Sequence, residues 1–271
     1  MTVSNGLITL ADMLAFLPNS TNAVTATLEQ AIEAASLAIC TYKGHFRPWY
    51  PLVQAKLYDI PRDRELALRA DLLECLSLTN GDASVLPSTE YRAEPVNLYP
   101  KSSIVINSMA AIYWMTSVTT GSENAITING IWGYHTYYPQ AWTLASTLSS
   151  AINISTTTVP VTSSTLYTAG QIVRCNDELM LVTVVATNSL TVTRAWNGST
   201  AAAHDILTSL PVWKTQADVA RGCMIQAARY YKRNEAVFGT TGGGEMGVQP
   251  VVIPGIDPDV AAILEQYVMR F

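Results

Sequence analysis

The chain has 271 residues, of which 49% are hydrophobic, so it has enough apolar material for a packed core and is not intrinsically disordered. Charged residues make up only 14%, against roughly 25% in typical soluble domains, which predicts a largely neutral surface suited to contact with other protein. The formal net charge of -5 excludes a global cationic field and argues against a dedicated DNA-binding protein.

The N-terminal region predicts two helices. Thr9 and Asp12 form a capping-box pattern that opens a short helix running through Leu17. Apolar residues then recur at intervals of three and four positions from Leu28 to Ile39, and Gly44 is placed to end this second helix.

The middle of the chain predicts β structure of two kinds. Short apolar stretches separated by turn signals indicate a β-rich region over residues 51–150, with a helix as an alternative at Leu66–Leu76. Residues 151–213 are crowded with Thr, Ser, Val and Ile, which favour extended backbone, and this predicts an inserted small antiparallel barrel or sandwich. Strands are expected at Gln171–Cys175, Leu179–Val185 and Leu190–Arg194.

Helix returns at the C-terminus. Residues 218–233 place an apolar stripe on one face of a helix, opposite four cations, namely Arg221, Arg229, Lys232 and Arg233. Asp257 followed by Pro258 predicts the start of a last helix, Asp259 to Tyr267. The expected fold class is therefore α+β, with a helical core formed by the two ends, 1–50 and 214–271, around a large antiparallel β middle.

The sequence offers no pattern for catalysis or cofactor binding. The histidines at 45, 135 and 204 are too far apart for a metal-binding spacing, so each is interpreted as structural. Asp177 and Glu178 are adjacent, so on a strand they would face opposite sides and could not share one substrate. Gly242, Gly244 and Gly247 match a dinucleotide-binding pattern, but a helix precedes them and prolines follow, which favours a simple glycine loop. We expect no enzyme activity, no cofactor and no metal.

The sequence shows no pattern typical of a membrane span, a signal peptide or a redox-active cysteine pair. No apolar run approaches the roughly 20 residues of a membrane span, and the N-terminus lacks a signal-peptide pattern, so the chain is expected to be cytosolic at synthesis with no membrane partner. The cysteines lack any C-x-x-C spacing and are expected to be buried free thiols: Cys40, Cys75, Cys175 and Cys223.

Several short segments of the sequence are informative because of the order in which they follow one another. The opening segment Leu7 to Asp12, the helix Leu28 to Ala38 and the exit Gly44-His45-Phe46 are followed at the other end by Ala227 to Arg233 and by Asp257 to Arg270. In this order they resemble the head-to-tail adaptor (head completion, or connector) proteins of tailed bacteriophages. Two internal pieces also resemble β elements of phage neck proteins: Ile126 to Tyr134, and Gly170 to His204.

The resemblance implies a structural virion protein of the neck, present in the host cytoplasm during assembly. Such a protein assembles as a dodecamer, a ring of about twelve copies, beneath the portal protein. The ring extends the channel through which genomic DNA passes without sequence-specific binding, and it provides the docking surface for the next neck or tail protein.

Candidate partner-binding residues lie in the C-terminal region. They are the four cations of the long helix, Arg221, Arg229, Lys232 and Arg233, together with the apolar terminus, Tyr267, Met269, Arg270 and Phe271. We expect that packing within the fold does not cover the four cations. We also expect the apolar terminus to be held in place by a neighbouring subunit or by the portal. An alternative function is a tail or baseplate β module that binds a host-surface glycan, suggested by the Thr-rich, Trp-containing middle.

Overall fold

A computed structural model describes residues 3–17, 23–235 and 255–268. It contains two antiparallel sheets, of five and six strands, and helices contributed by both ends of the chain. The predicted α+β class is confirmed. The predicted division into 1–50 with 214–271, 51–150 and 151–213 stays a prediction.

Both ends of the chain form helices where the local signals place them. The N-terminal helices are α1 (Leu10–Phe16) and α2 (Thr25–Cys40). A short helix, α3 (Tyr138–Ala141), lies in the middle of the chain, and the C-terminal helices are α4 (Ala217–Glu235) and α5 (Pro258–Glu265). The capping box is present: the Asp12 amide donates to Thr9 Oγ1 at 3.2 Å, and the Thr9 amide donates to Asp12 Oδ2 at 2.8 Å. Asp257 caps α5 by accepting from the Asp259 amide at 3.0 Å.

The helices of the two ends share one apolar core, which we call the helical bundle. Leu28 and Ile32 of α2 are fully buried against Val219 and Cys223 of α4. Val260 of α5 closes the same cluster. Since most of the stability of a helix in a protein comes from the packing of its apolar face, this shared burial is what holds the two ends in helical form.

The five-stranded sheet, here the first sheet, has the order β1-β5-β2-β4-β3. Its strands are β1 (Leu52–Tyr58), β2 (Glu65–Thr79), β3 (Tyr91–Glu94), β4 (Lys101–Ile106) and β5 (Ile126–Trp132). The alternative of a helix at Leu66–Leu76 is wrong, because β2 occupies those residues. Their Leu, Ala and Glu content favours a helix locally, but pairing with β4 and β5 overrides that propensity.

Strand β2 bends and serves both halves of the first sheet. Ala67 lies opposite Ser103 of β4, and the next paired residue, Leu72, lies opposite Lys101, so the ladder is interrupted by a large bulge. Leu72 also lies opposite Trp132 of β5, and beyond Leu72 β2 pairs with β5 alone. The first sheet consequently curls around its own core instead of lying flat.

The six-stranded sheet closes on itself, and we call it the barrel. Its order is β6-β11-β8-β9-β10-β7, from strands β6 (Trp142–Thr147), β7 (Thr158–Pro160), β8 (Ile172–Cys175), β9 (Glu178–Ala186), β10 (Ser189–Thr193) and β11 (Ser209–Trp213). Just beyond the ends of β6 and β7, Leu148 bridges Val161, and the Ser149 amide donates to the Pro160 carbonyl at 3.1 Å. These bonds join the two outer strands, so of the two predicted forms the barrel is present.

The barrel begins earlier in the chain than its composition indicates. Its strand β6 (Trp142–Thr147) lies before residue 151, within the β-rich region expected over residues 51–150. β6 pairs with β11, which brings the two ends of the barrel segment side by side.

The barrel is joined to the first sheet by a shared apolar core and by polar contacts. Leu73 and Ile131 of the first sheet are buried with Leu179 and Trp213 of the barrel. The 3₁₀ turn Trp196–Gly198, here the Trp196 turn, follows strand β10 of the barrel and contacts the N-terminal segment and the start of β1. The two β units are therefore packed against each other.

The Trp196 turn approaches its neighbours closely. The Trp196 indole donates to Asn5 Oδ1 at 2.9 Å, and the Asn197 amide group donates to the Pro51 carbonyl at 2.9 Å. Gly198 has φ +82° and lies so close to β1 that a Cβ there would be 2.3 Å from the Val53 oxygen. Only glycine satisfies both the left-handed backbone and the close approach.

Candidate interaction surfaces

The cations predicted to bind a partner differ in their burial and in the contacts that they make within the protein. Arg229 is the most engaged: its side chain is 12% exposed, and its Nη1 lies 3.6 Å from Asp257 Oδ2. Since Asp257 also caps α5, Arg229 helps to hold α5 against α4. The expectation that packing leaves these cations unoccupied is therefore wrong for Arg229.

Arg221 is exposed but contacts the N-terminal helix. Its guanidinium lies 4.7 Å from the centre of the Phe16 ring of α1, a cation–π contact. Arg221 therefore covers an aromatic ring of the bundle while its charge still faces solvent.

Lys232 and Arg233 are exposed at the end of α4, and we call these two residues the cationic end of α4. Arg233 borders a groove between α2 and α4 with a volume of about 400 Å³. The other residues of its lining are uncharged: Thr27, Gln30, Ala31, Tyr230 and Tyr231. Arg233 therefore belongs both to the cationic end of α4 and to this groove.

Tyr267 is docked by its own chain. Its ring packs edge-on against Trp49 at 5.0 Å and against Tyr134 at 5.5 Å. Its hydroxyl donates to Asp218 and accepts from the Gln216 amide group. Burial, together with the hydrogen bond to Asp218, raises the pKa of the Tyr267 hydroxyl.

The expectation that the chain terminus needs an external dock is therefore wrong at Tyr267. Its docking was not predictable from local sequence, because Trp49 and Tyr134 are far away in the chain. Met269, Arg270 and Phe271 lie outside the described residues.

The first sheet carries a second surface, at the end remote from the bundle. The loop 107–121 contains no charged residue, and it exposes Met109, Tyr113, Met115 and Val118, the last of these completely. The loop is nevertheless anchored, because the buried Asn80 side chain donates to the Tyr113 carbonyl and accepts from the Met115 amide, both at 2.9 Å. Grouped exposed apolar side chains on an anchored loop are typical of protein contact surfaces.

A buried ionic cluster lies inside the barrel, and the sequence reasoning missed it. Glu178 accepts two hydrogen bonds from Arg194, at 2.6 and 2.7 Å, and its Oε2 lies 2.8 Å from His204 Nε2. The backbone amides of Ala195 and Ala202 also donate to it. Arg194 and Glu178 are two of the few charged residues in a Thr- and Val-rich segment, and this rarity was the available signal.

The electrostatics of this cluster fit a structural role. Burial by itself raises the pKa of Glu178, but the hydrogen bonds from Arg194, His204 and the two amides outweigh it and bring that pKa to about 2. The Glu178 side chain is fully buried, whereas that of its neighbour Asp177 is 75% exposed. The two carboxylates therefore point apart, as expected, and Glu178 fixes the 195–202 loop.

A second ion pair joins the barrel to the first sheet. Arg174 of β8 donates to Glu74 of β2 at 2.6 Å, and the Tyr138 hydroxyl donates to the same carboxylate at 2.7 Å. Burial raises the pKa of Glu74, but the hydrogen bonds from Arg174 and Tyr138 outweigh it, so the pKa is lowered overall. This pair stabilises the contact between the two β units.

The cysteines, His135 and His204 are built into the packing, whereas His45 is exposed. All four cysteines are free; three are buried as predicted, and Cys75 is half-buried. His135 accepts from the Tyr137 amide at 3.0 Å and packs against Trp213. Across residues 3–17, 23–235 and 255–268, no group of His, Cys, Asp or Glu is arranged to hold a metal ion.

Comparisons with known proteins add no identification. No protein-family model matches the chain, and no curated protein matches it. Within the part of the chain that the structure describes, no helix has the length and apolar character needed to cross a bilayer.

Proposed function

We propose that the chain is a head-to-tail adaptor of a tailed bacteriophage, a structural virion protein without catalytic activity. It assembles as a ring under the portal, extends the DNA channel and provides a docking surface for the next neck or tail protein. The observation that carries this proposal is the joining of both chain ends in one helical bundle, from which two packed β units extend.

The charge distribution supports passage of DNA without capture. The net charge is -5, and the cations of the described chain are largely engaged within the protein, as Arg229 and Arg194 show. A lumen with few free cations does not hold the phosphate backbone, so DNA can slide past it.

The docking surfaces we propose are the cationic end of α4 and the 107–121 loop. They lie on different parts of the molecule, since one belongs to the bundle and the other to the far end of the first sheet. A neck protein needs two such faces, because it contacts the portal on one side and the next component on the other.

The glycan-binding alternative has less support. It was suggested by the tryptophans of the middle region, but all six tryptophans of the chain are buried or half-buried. Trp213, for example, packs between Trp142 and Tyr138 at ring distances of 5.1 and 6.3 Å. These rings stabilise the fold and offer no open platform to a sugar.

The proposal is tested by mixing the purified full chain with the cognate portal protein and examining the product by electron microscopy. We expect a ring of density added beneath the portal. The variant Lys232→Glu/Arg233→Glu should weaken this assembly more than Arg62→Glu/Lys214→Glu, an equal charge change at other exposed positions. Binding to a panel of cell-surface saccharides, without portal binding, would instead support the tail module.

A further inference from the structure

One edge of the first sheet is open. β1 pairs with β5 along all seven of its residues and, within the part of the chain that the structure describes, with no other strand. The Trp196 turn covers the outer side of β1 only near Pro51 and Val53. Among the described residues, no further backbone hydrogen bond reaches Gln54–Tyr58 from that side.

A groove of about 810 Å³ lies beside this edge. One wall is formed by β1 from Gln54 to Tyr58, and the other by the first half of β2, from Glu65 to Ala70. Before the bulge, β2 pairs with β4 alone, so its side toward the groove has no strand neighbour either. The groove therefore borders backbone that is available for pairing.

Strand β1 has little of the protection that proteins usually give to a free edge, a single lysine. Within Leu52–Tyr58 there is no proline, and the register with β5 runs without a bulge. The one charged residue, Lys56, has its ammonium 4.7 Å from the centre of the Trp132 ring, so the charge lies over the sheet. Leu57 is 58% exposed. A weakly protected edge of this kind is suited to pairing with another strand.

The opposite edge of the same sheet is also unpaired. Of the described strands, β3 pairs with β4 alone. Its two charged residues neutralise one another, with Arg92 Nε 2.6 Å from Glu94 Oε1. The barrel, in contrast, joins its outer strands to each other.

We propose that β1 of one copy pairs with β3 of the next copy, so that the first sheet continues from subunit to subunit. The occupant is a second copy because the two edges match: the open part of β1 has five residues and β3 has four, and neither edge repels the other by charge. Contact between two unlike surfaces is head-to-tail, and such contacts form a ring where the rotation from copy to copy closes. This inference rests on the proposed ring, and it does not depend on the portal.

The first experiment uses the full chain and measures its assembly by light scattering after gel filtration, alone and with portal. Ala55→Lys/Leu57→Lys places charges at the open edge and should abolish the ring while leaving the circular dichroism spectrum unchanged. The matched control is Leu144→Lys/Val184→Lys, the same charge at exposed positions on barrel strands, and it should assemble as wild type does.

The second experiment identifies the paired strands by mixing Ala55→Cys protein with Arg92→Cys protein and adding a short bis-maleimide. We expect crosslinked dimers in the mixture and none above the wild-type background in either variant alone. Dimers of Ala55→Cys alone would show that β1 pairs with β1 and would overturn the proposal.

The two proposals fail in distinguishable ways. A ring that survives the lysine substitutions and yields no crosslink overturns the edge pairing and leaves the adaptor function standing. A chain that stays monomeric at every concentration, with and without portal, overturns the ring and the edge pairing together.

Discussion

The barrel and the first sheet differ in their edge strands, which are bonded to each other in the barrel and stay apart in the first sheet. In the barrel, the bonds around Leu148 and Val161 join the outer strands, and Glu178 ties a loop to the interior. In the first sheet, β1 and β3 each have one partner only, and the uncharged 107–121 loop stands exposed. The contrast teaches that the barrel satisfies its own edges, whereas the first sheet leaves two edges free for the pairing proposed above.

The strongest test of this contrast is removal of the barrel. Replacing residues 142–213 with a Gly/Ser linker exposes Leu73, Ile131 and Tyr138, which are now buried against it. At about 1.5–3 kcal/mol for each large apolar side chain, the loss is comparable to the whole stability of a typical domain. We expect the remaining chain to lose its cooperative thermal unfolding transition, measured by circular dichroism. An unchanged transition would show that the first sheet does not need the barrel.

The next largest effect is expected inside the barrel. Glu178→Ala leaves Arg194, whose side chain is 7% exposed, without its carboxylate partner. Breaking a buried ion pair costs about 3–5 kcal/mol, so the barrel should unfold at clearly lower denaturant concentration. Asp177→Ala is the control, since its exposed carboxylate should change the free energy of unfolding by less than about 0.5 kcal/mol. Equal effects of the two substitutions would contradict the structural role of Glu178.

Acid should also destabilise the barrel through Glu178. The pKa of Glu178 is about 2 in the folded state against an ordinary value of 4.5, so its contribution is present above pH 4.5 and is lost as the pH falls toward 2. A shift of this size corresponds to about 3 kcal/mol. Measured by denaturation at several pH values, Glu178→Gln should be less stable at neutral pH and should show a shallower loss between pH 4.5 and 2. A slope equal to that of wild type would assign the acid sensitivity to other groups.

A smaller effect is expected where the barrel meets β1. Gly198→Ala adds a Cβ close to the Val53 oxygen in a left-handed backbone, which should cost about 1–3 kcal/mol and loosen the Trp196 turn. Gly121→Ala is a matched control, because Gly121 has φ +68° with no atom near its Cβ position. Thermal unfolding of the two variants separates the close approach from backbone strain alone. Similar losses would mean that the contact with Val53 has no energetic weight.

The sequence predicts those parts of the fold that depend on neighbours in the chain. The caps at Thr9 and Asp257 set the helix starts, and β-branched residues mark β9 and β10. The sequence does not decide between strand and helix for β2, because its leucines satisfy a helical pattern as well as a bent strand that pairs with β4 and β5. For such residues, only the tertiary partners decide.

The candidate surfaces show the same limit. The position of the four cations on α4 follows from helical spacing, but the pairing of Arg229 with Asp257 and of Arg221 with Phe16 depends on how α5 and α1 pack. Closure of the barrel and the open edge of β1 are likewise non-local. They depend on which strands meet, and residue pattern alone does not specify that.

The central claim, that subunits meet through the edges of the first sheet, is tested most directly by hydrogen exchange of the full chain. Exchange is measured in dilute, dissociated protein and in the assembled form. We predict that amides within Gln54–Tyr58 and Tyr91–Glu94 become protected on assembly, while those of the barrel strands exchange at unchanged rates. Protection gained in the barrel, with both first-sheet edges exchanging as freely as before, would contradict the account.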